Sequence, residues 1–268
     1  MSYKVIMQKK TNYLYHYTNL SALASILKNV TIRFFPLDTM DDMDDGKTSD
    51  FSYARKYVFC SSWTDISEES IPLWSMYTNE MKGVRIRLPK NPFEEYIWDN
   101  DVFIGKDNHK EPYFISQNDA LGDNYTVAAL FKNMFLNKVE YTNNYDMLFP
   151  KIKTEEKKDI RIYMKGVGQY KRKAWEFQRE YRYRLVVFPK RLDFRDMSNS
   201  MKDLYDRMQA GYPLQINYID LRIKKEYLSN IEILGGPKMT EGDKILLQEL
   251  VKQFCPNATL KYSDLKIR

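Results

Sequence analysis

The stretch that decides the fold is Tyr13-Leu14-Tyr15-His16-Tyr17-Thr18, which runs directly into residues 19–28. Its apolar and aromatic side chains predict a buried strand. The spacing of Leu20, Leu23, Ala24 and Leu27 predicts a helix capped by Thr18 or Asn19. His16, one of two histidines, lies close to the end of this strand. A side chain at such a junction can face a ligand, although a core histidine bonded to backbone fits this segment equally well.

The remaining elements lack the regular alternation of a doubly wound sheet. Runs of apolar, β-branched and aromatic residues predict strands at 31–35, 57–63, 82–88, 139–141, 180–188 and 231–234, and a last short strand pair after them. Helical spacing predicts helices at 72–77, 150–174 and 241–254, whereas 100–130 is predicted as loops and short elements. We therefore expect an α+β fold with a mainly antiparallel sheet, as one domain over residues 1–268.

The composition argues against several classes of protein. No apolar stretch is long enough to span a membrane and the first residues lack the apolar core of a secretory signal, so we expect a cytoplasmic protein. Cys60 and Cys255 are expected as buried thiols rather than a disulfide or zinc ligands. The acidic run 41–46 lacks EF-hand ligands where Met43 and Ser52 fall, and no metal site is predicted. The net charge of +6 favours an anionic partner such as nucleic acid.

A row of polar residues lies at the start of the strongest predicted strand. Gln178 and Glu180 are two residues apart, so on a strand they share one face with Arg182 and Arg184, while the opposite face has a core-like pattern. Such a row is typical of a solvated face, and it is also the arrangement that a site built on a strand requires.

Two aromatic residues form a second candidate group. Trp74 and Tyr77 are i and i+3 on the short helix predicted at 72–77, so they lie on the same side of it. This spacing is typical of core packing, and it also suits an aromatic ring that stacks on a planar ligand. Neither group by itself decides the function.

In their order along the chain, these motifs resemble the ADP-ribosyltransferase superfamily. Within it they are similar to an uncharacterised bacterial domain family through His16-Tyr17-Thr18, Cys60-Ser61-Ser62, Trp74-x-x-Tyr77 with Gly83, and Trp175-x-x-Gln178-x-Glu180-x-Arg182. The likeness extends from about residue 12 to the C-terminus and includes Ile233-Leu234-Gly235-Gly236-Pro237. It implies an ADP-ribosyltransferase-like fold, with a mainly antiparallel split β-sheet core and flanking helices.

The resemblance also implies a chemistry. His16, Tyr77 and Glu180 correspond to a triad that binds NAD as co-substrate and cleaves its nicotinamide bond, with Gln178 beside them. A carboxylate that holds the ribose 2′-hydroxyl stabilises an oxocarbenium-like state, and a stacked ring orients nicotinamide. His16 is implied to bond the adenosine ribose, and Arg33 or Arg85 to contact the pyrophosphate. The implied NAD contacts are His16, Tyr17, Thr18, Arg33, Ser61, Trp74, Tyr77 and Arg85.

The acceptor is predicted from one difference between this chain and the bacterial family, and from the distribution of charge. The bacterial family usually has glutamate where this chain has Gln178, and a Gln-x-Glu motif is similar to superfamily members that modify acceptors other than arginine, nucleobases included. Residues 151–191 hold fourteen Lys and Arg against five Asp and Glu, interleaved with aromatic residues, which suits phosphate contacts and base stacking as well as a solvated helical face. RNA or single-stranded DNA is favoured over protein, and the predicted nucleic-acid contacts are Lys171, Arg172, Lys173, Arg182 and Arg184.

The expected function is therefore that of a bacterial NAD-dependent ADP-ribosyltransferase of the toxin or phage-defence kind. Such an activity requires an antitoxin or another inhibitor. Two alternatives stay open at the level of sequence. One is a non-catalytic basic nucleic-acid-binding module, and the other is an NAD hydrolase that uses no macromolecular acceptor.

Overall fold

A computed structural model describes residues 12–98, 112–128, 135–156, 159–193 and 196–268. The expectations for the first residues and for 99–111 and 129–134 lie outside this part of the chain. The strands are β1 Tyr13–Thr18, β2 Thr31–Pro36, β3 Val58–Thr64, β4 Val84–Pro89, β5 Thr126–Ala128, β6 Leu136–Lys138, β7 Glu140–Thr142, β8 Lys153–Glu156, β9 Asp159–Ile162, β10 Tyr170–Arg172, β11 Glu180–Phe188, β12 Ile219–Arg222, β13 Glu232–Gly235 and β14 Thr259–Tyr262.

The helices are distributed along the chain between these strands. The α-helices are α1 Leu20–Asn29, α2 Ile71–Tyr77, α3 Gln117–Ala120, α4 Tyr145–Leu148, α5 Met197–Gln209, α6 Lys225–Ser229 and α7 Glu241–Phe254. Single turns of 3-10 helix occur at Leu37–Thr39, Ala54–Tyr57 and Met164–Gly166, and a longer one at Lys173–Gln178 leads into β11. In the described residues, no helix has the length and apolar character needed to cross a membrane.

Ten of the described strands form one sheet. Its hydrogen-bonded order is β12, β2, β3, β1, β4, β13 and β14, and β11 pairs with β3 and carries β5 and β6. Its pairings are antiparallel apart from the parallel pair β13–β14. The predicted α+β fold with a mainly antiparallel sheet is therefore confirmed.

Strand β3 divides one of its edges between two neighbours. Near its start, Phe59 and Cys60 pair with β2, and at its end Thr64 pairs with Tyr15 of β1. Residues 61–63 lie between these two contacts, and a cavity opens beside them. On the other edge, the whole of β3 pairs with the first seven residues of β11, from Glu180↔Thr64 to Val186↔Val58. The start of β11 is thereby brought close to this cavity.

The predicted junction between β1 and α1 is confirmed. The Asn19 side chain accepts a hydrogen bond of 2.8 Å from the backbone N–H of Ala22, which satisfies a free donor in the first turn of α1. Leu23, Ile26 and Leu27 are the buried residues of α1. A Cβ at Gly83 would lie 2.2 Å from the Thr18 carbonyl oxygen, so only glycine lets the chain pass this close to the end of β1.

Strand β11 matches its predicted bounds, but its polar face is not solvated. Tyr183, Leu185 and Val187 belong to the main hydrophobic core, as the alternation predicts. Arg182 and Arg184 on the opposite face are only 1% and 3% exposed. The interpretation of this row as a solvated face is therefore wrong, because the chain folds over both faces of the strand.

Other expectations need correction. The helix predicted at 150–174 is absent from the described residues, where β8 pairs with β9 and β10 pairs with β7 instead. Lysine-rich spacing suits strands and helices alike, and pairing between strands decides the outcome here. The last strand pair is a single strand, β14, parallel to β13. Helices α5 and α6 and strand β12 were not predicted, whereas α7 over Glu241–Phe254 is confirmed.

Candidate active site

A cavity of about 510 Å³ lies between α1, β2 and β3 and the start of β11. This volume is within the range of small-molecule sites in proteins. The predicted residues that line it are His16, Tyr17, Thr18, Arg33, Ser61, Tyr77, Lys171, Gln178, Glu180 and Arg182. These residues come from well-separated parts of the chain, and the fold brings them to one cavity.

His16 is fixed in one orientation and one protonation state. Its Nδ1 lies 2.8 Å from the Ser62 carbonyl oxygen, so Nδ1 carries the proton and donates it. The ring packs on Trp63, with 5.0 Å between ring centroids. Burial lowers the pKa of His16, an effect that the Ser62 contact only partly opposes. The imidazole is therefore neutral at pH 7, and its Nε2 is a hydrogen-bond acceptor.

Glu180 is a buried carboxylate held by two cations. Arg182 donates to its Oε1 from Nε at 2.6 Å and to its Oε2 from Nη2 at 3.2 Å, and Lys171 donates to Oε2 from Nζ at 2.9 Å. Burial raises the pKa of Glu180, but the charges of Arg182 and Lys171 outweigh burial and bring the pKa to about 2. Glu180 is therefore ionised throughout the neutral pH range.

Gln178 connects Tyr77 with Lys171, which in turn contacts Glu180. It ends the 3-10 helix Lys173–Gln178 rather than lying on the strand, and Arg179, with a φ of 43°, turns the chain into β11. The Gln178 Oε1 accepts from Lys171 Nζ at 3.0 Å, and its Nε2 donates to the Tyr77 hydroxyl at 2.5 Å. Tyr77 is thus held beside the glutamate, and burial raises the pKa of its hydroxyl, which stays protonated.

Asp45 balances the charge of this group. Both of its oxygens accept from the Arg182 guanidinium, and its Oδ2 lies 3.6 Å from Lys171 Nζ. Two carboxylates, Asp45 and Glu180, thus face two cations in the interior. Asp45 lies in the acidic run that a calcium loop would resemble, and its carboxylate is used for these ion pairs. Among the described residues, no group of side chains is arranged to hold a metal ion.

Two predicted NAD contacts, Trp74 and Arg85, lie outside the cavity lining, and a third, Arg33, lines the cavity but is already paired. Trp74 is fully buried and packs edge-on against Tyr17, and it does not line the cavity. Arg85 lies outside the cavity lining too, because its Nη1 donates to the carbonyl oxygens of Ser67 and Glu68. Arg33 lines the cavity, but its Nε and Nη2 donate to Asp220, so its charge is already balanced.

The predicted nucleic-acid contacts are corrected for three of five residues. Lys171 and Arg182 are buried in the charged group described above. Arg184 is also buried, where its Nη1 donates to the Val167 carbonyl oxygen at 2.5 Å. These three side chains are not surface cations that a nucleic-acid backbone could follow, because their donors are used by Gln178, Glu180, Asp45 and a backbone oxygen inside the fold. Arg172 and Lys173 are exposed and remain accessible.

Two residues of the site were missed from the sequence. In the sequence, Asp45 is part of a calcium-like acidic run, and no motif marks Asp220 as a site residue. A cluster of four aspartates without the spacing of an EF-hand was the available signal for Asp45, because acidic side chains often pair with basic ones elsewhere in the fold. Asp220 lies on β12, whose pairing with β2 carried no sequence signal.

Comparison of this chain with protein-family models, curated proteins and solved structures finds no match. The functional assignment therefore depends on the motif residues and on the geometry of the cavity.

Proposed function

We propose that this protein is an NAD-dependent ADP-ribosyltransferase with an ADP-ribosyltransferase-like fold, acting as a bacterial toxin or phage-defence effector. The observation that carries the proposal is the meeting of His16, Tyr77 and the ionised Glu180 at one cavity. These are the residues of the triad that the sequence motifs imply. An effector that consumes NAD requires restraint, and an antitoxin or other inhibitor protein would supply it.

The chemistry of the site suits cleavage of the glycosidic bond to a positively charged nicotinamide ring, which leaves as a neutral molecule. When the bond between ribose C1′ and the nicotinamide nitrogen breaks, its electron pair moves to nicotinamide, and positive charge develops on the ribose. Glu180 stays ionised and can stabilise this charge while it accepts a hydrogen bond from the 2′-hydroxyl. The acceptor then forms a new bond to C1′ and loses a proton. The charged group as a whole is close to neutral, so it does not repel the cation.

His16 and Tyr77 are suited to bind and orient the substrate. The His16 Nε2 is a free acceptor in the geometry above and can take a hydrogen bond from a ribose hydroxyl. The Tyr77 ring lines the cavity with its hydroxyl held by Gln178, which limits its rotation and favours one stacking orientation on nicotinamide. Thr18 and Ser61 add hydroxyl groups to the same lining.

The acceptor that we propose is a nucleobase in RNA or single-stranded DNA, with protein as the next choice. Because Lys171 occupies the Gln178 oxygen and one amide N–H donates to Tyr77, the amide has one further N–H to offer. A base with a carbonyl oxygen or ring nitrogen can accept from such a group, whereas a guanidinium only donates. The exposed cations Arg172 and Lys173 precede Gln178 in the chain. Lys173 is available to phosphates, and Arg172 can bind them by exchanging its solvent-screened pair with Asp44.

The test is incubation with adenylate-labelled NAD and, separately, RNA, single-stranded DNA or a cell protein extract. We expect wild-type protein to release nicotinamide and label the nucleic acid, and Glu180→Gln to retain NAD binding but lose at least about a hundredfold in rate. Glu176→Gln is the matched control, since Glu176 is exposed on the preceding 3-10 helix.

The same experiment separates the alternatives. Free ADP-ribose without labelled macromolecule identifies an NAD hydrolase. Salt-sensitive RNA binding without any nicotinamide release identifies a non-catalytic nucleic-acid-binding module and contradicts the proposal. Equal rates for wild type and Glu180→Gln would show that Glu180 has no role in catalysis.

A further inference from the structure

Lys171 is a buried lysine in the centre of the candidate site. It lies in the three-residue strand β10, which pairs with β7, and only 6% of the residue is exposed. Its ammonium group contacts Gln178 Oε1 at 3.0 Å, Glu180 Oε2 at 2.9 Å and Asp45 Oδ2 at 3.6 Å. The side chain also lies over the Trp175 ring, with 5.2 Å between Nζ and the ring centroid. A lysine is taken out of water this completely only when several partners compensate for its desolvation.

The ammonium group has a consequence for the amide of Gln178. An ammonium has three donors and no acceptor, so only the amide oxygen can face it. The amide nitrogen must then point the other way, where it donates to the Tyr77 hydroxyl at 2.5 Å. Because the hydroxyl oxygen accepts this bond, the Tyr77 O–H remains able to donate elsewhere.

We propose that Lys171 is a positioning residue, which fixes the Gln178 amide so that Gln178 donates to Tyr77 and holds its ring for nicotinamide. This inference rests on the proposed transferase function and adds to it a residue outside the implied triad. The Lys171, Gln178 and Tyr77 side chains thus form a short chain of hydrogen bonds that ends on the substrate-stacking ring.

The structure distinguishes this role from that of a counter-ion for Glu180. Arg182 contacts both oxygens of Glu180 and is itself fixed by Asp45. Glu180 therefore keeps a cation when Lys171 is replaced. The Gln178 oxygen, in contrast, has Lys171 as its hydrogen-bond donor in the described structure. Without the Lys171 ammonium, the Gln178 amide can flip by 180°, because no donor then selects its oxygen over its nitrogen.

A double-mutant cycle tests this inference, with nicotinamide release from NAD as the measured reaction. We expect Lys171→Met and Gln178→Leu each to lower kcat by about tenfold, the size of effect for a hydrogen bond to a charged group. The double variant should lose about tenfold as well, not a hundredfold, because Lys171 acts through Gln178. Lys252→Met, an exposed lysine of α7, is the matched control and should resemble wild type.

Three outcomes would overturn the inference. A hundredfold loss in the double variant means that the two residues act independently. A loss of kcat in Lys171→Met that is confined to acidic pH, with wild-type kcat at neutral pH, means that Lys171 acts only by lowering the pKa of Glu180. Wild-type kcat in both single variants means that nicotinamide release does not depend on the Gln178 amide. Absence of nicotinamide release from the wild-type protein is a different result, since it refutes the proposed function and this inference with it.

A second variant keeps the test decisive where Lys171→Met does not fold, as judged by thermal unfolding. Gln178→Glu keeps an oxygen for Lys171 but has no N–H for Tyr77, so the Tyr77 O–H must donate to it instead. We expect the same tenfold loss in kcat with normal folding. Wild-type kcat in Gln178→Glu would contradict the proposed direction of the hydrogen bond.

Discussion

At the scale of single residues, Glu180 and His16 are both buried, but Glu180 is ionised and His16 is neutral. Burial raises the pKa of Glu180, but two cations lower it to about 2, below its ordinary value of 4.5. Its ion pairs therefore stabilise the fold above about pH 4.5 and are lost as the pH falls toward 2. For His16, only the Ser62 carbonyl among the described residues opposes burial, so its pKa is lowered and it stays neutral at pH 7.

His16 should make stability depend on pH below its ordinary pKa of 6.5. In that range the unfolded chain binds a proton at His16 that the folded protein does not, so the free energy of unfolding decreases as the pH falls. We expect urea unfolding at about pH 7.5 and about pH 5.5 to show a smaller pH dependence in His16→Gln than in wild type. His109→Gln serves as the control for the second histidine. An unchanged pH dependence in His16→Gln would contradict the assigned protonation state.

At the scale of elements, the acidic loop 41–46 makes the buried face of β11 possible. Asp45 accepts two hydrogen bonds from Arg182, which lies 137 residues further along the chain. Its neighbour Asp44 pairs with Arg172 and Lys47 at the surface. The loop thus supplies one buried carboxylate, Asp45, and one partly exposed carboxylate, Asp44, and the energetic contributions of their ion pairs should differ strongly.

Replacement of Asp45 should be far more destabilising than replacement of Asp44. Asp45→Asn leaves buried cations without their counter-charge, and we expect a loss of about 3 to 5 kcal/mol in the free energy of unfolding. Asp44→Asn removes pairs that solvent screens, and we expect less than about 1 kcal/mol. Urea unfolding of both variants measures the difference. Losses of equal size would show that the buried pair is not needed for the stability of β11.

At the scale of the whole molecule, the candidate site exists only when distant segments meet. His16 bonds to a residue 46 positions away, and Gln178 bonds to Tyr77 across 101 positions. Both contacts are supported by β3, which connects β1 and β2 on one edge with β11 on the other. A variant that disturbs this sheet should therefore affect all site residues together.

The exposed cations beside the site should affect nucleic-acid acceptors. We expect the double variant Arg172→Ala/Lys173→Ala to label RNA less efficiently and to show a weaker salt dependence, by about 0.7 in the log–log slope for each phosphate that the protein no longer neutralises. Nicotinamide release measured without RNA should change much less. Lys252→Ala on α7 controls for a general decrease in surface charge. An unchanged salt dependence would exclude these two residues from the acceptor surface.

The sequence by itself determined the elements that depend on local pattern. Strand β1, helix α1, strand β11 and helix α7 follow from the alternation or helical spacing of apolar side chains. Residue type limits the cap of α1 to Thr18 or Asn19, and the structure selects Asn19. The motif order also indicated which polar residues belong together. Periodicity reports which face of an element is apolar, and it was sufficient for these elements.

Only the tertiary structure decided which charged residues are buried and which partners they have. The row from Gln178 to Arg184 reads as a solvated face because sequence pattern treats charge as a sign of exposure. The fold covers it instead, and Lys171 and Asp45 provide the charges that make burial possible. Trp74 and Arg85, equally plausible in sequence, lie away from the cavity. Ion pairing over more than a hundred residues has no period in the sequence, so only the assembled sheet determines it.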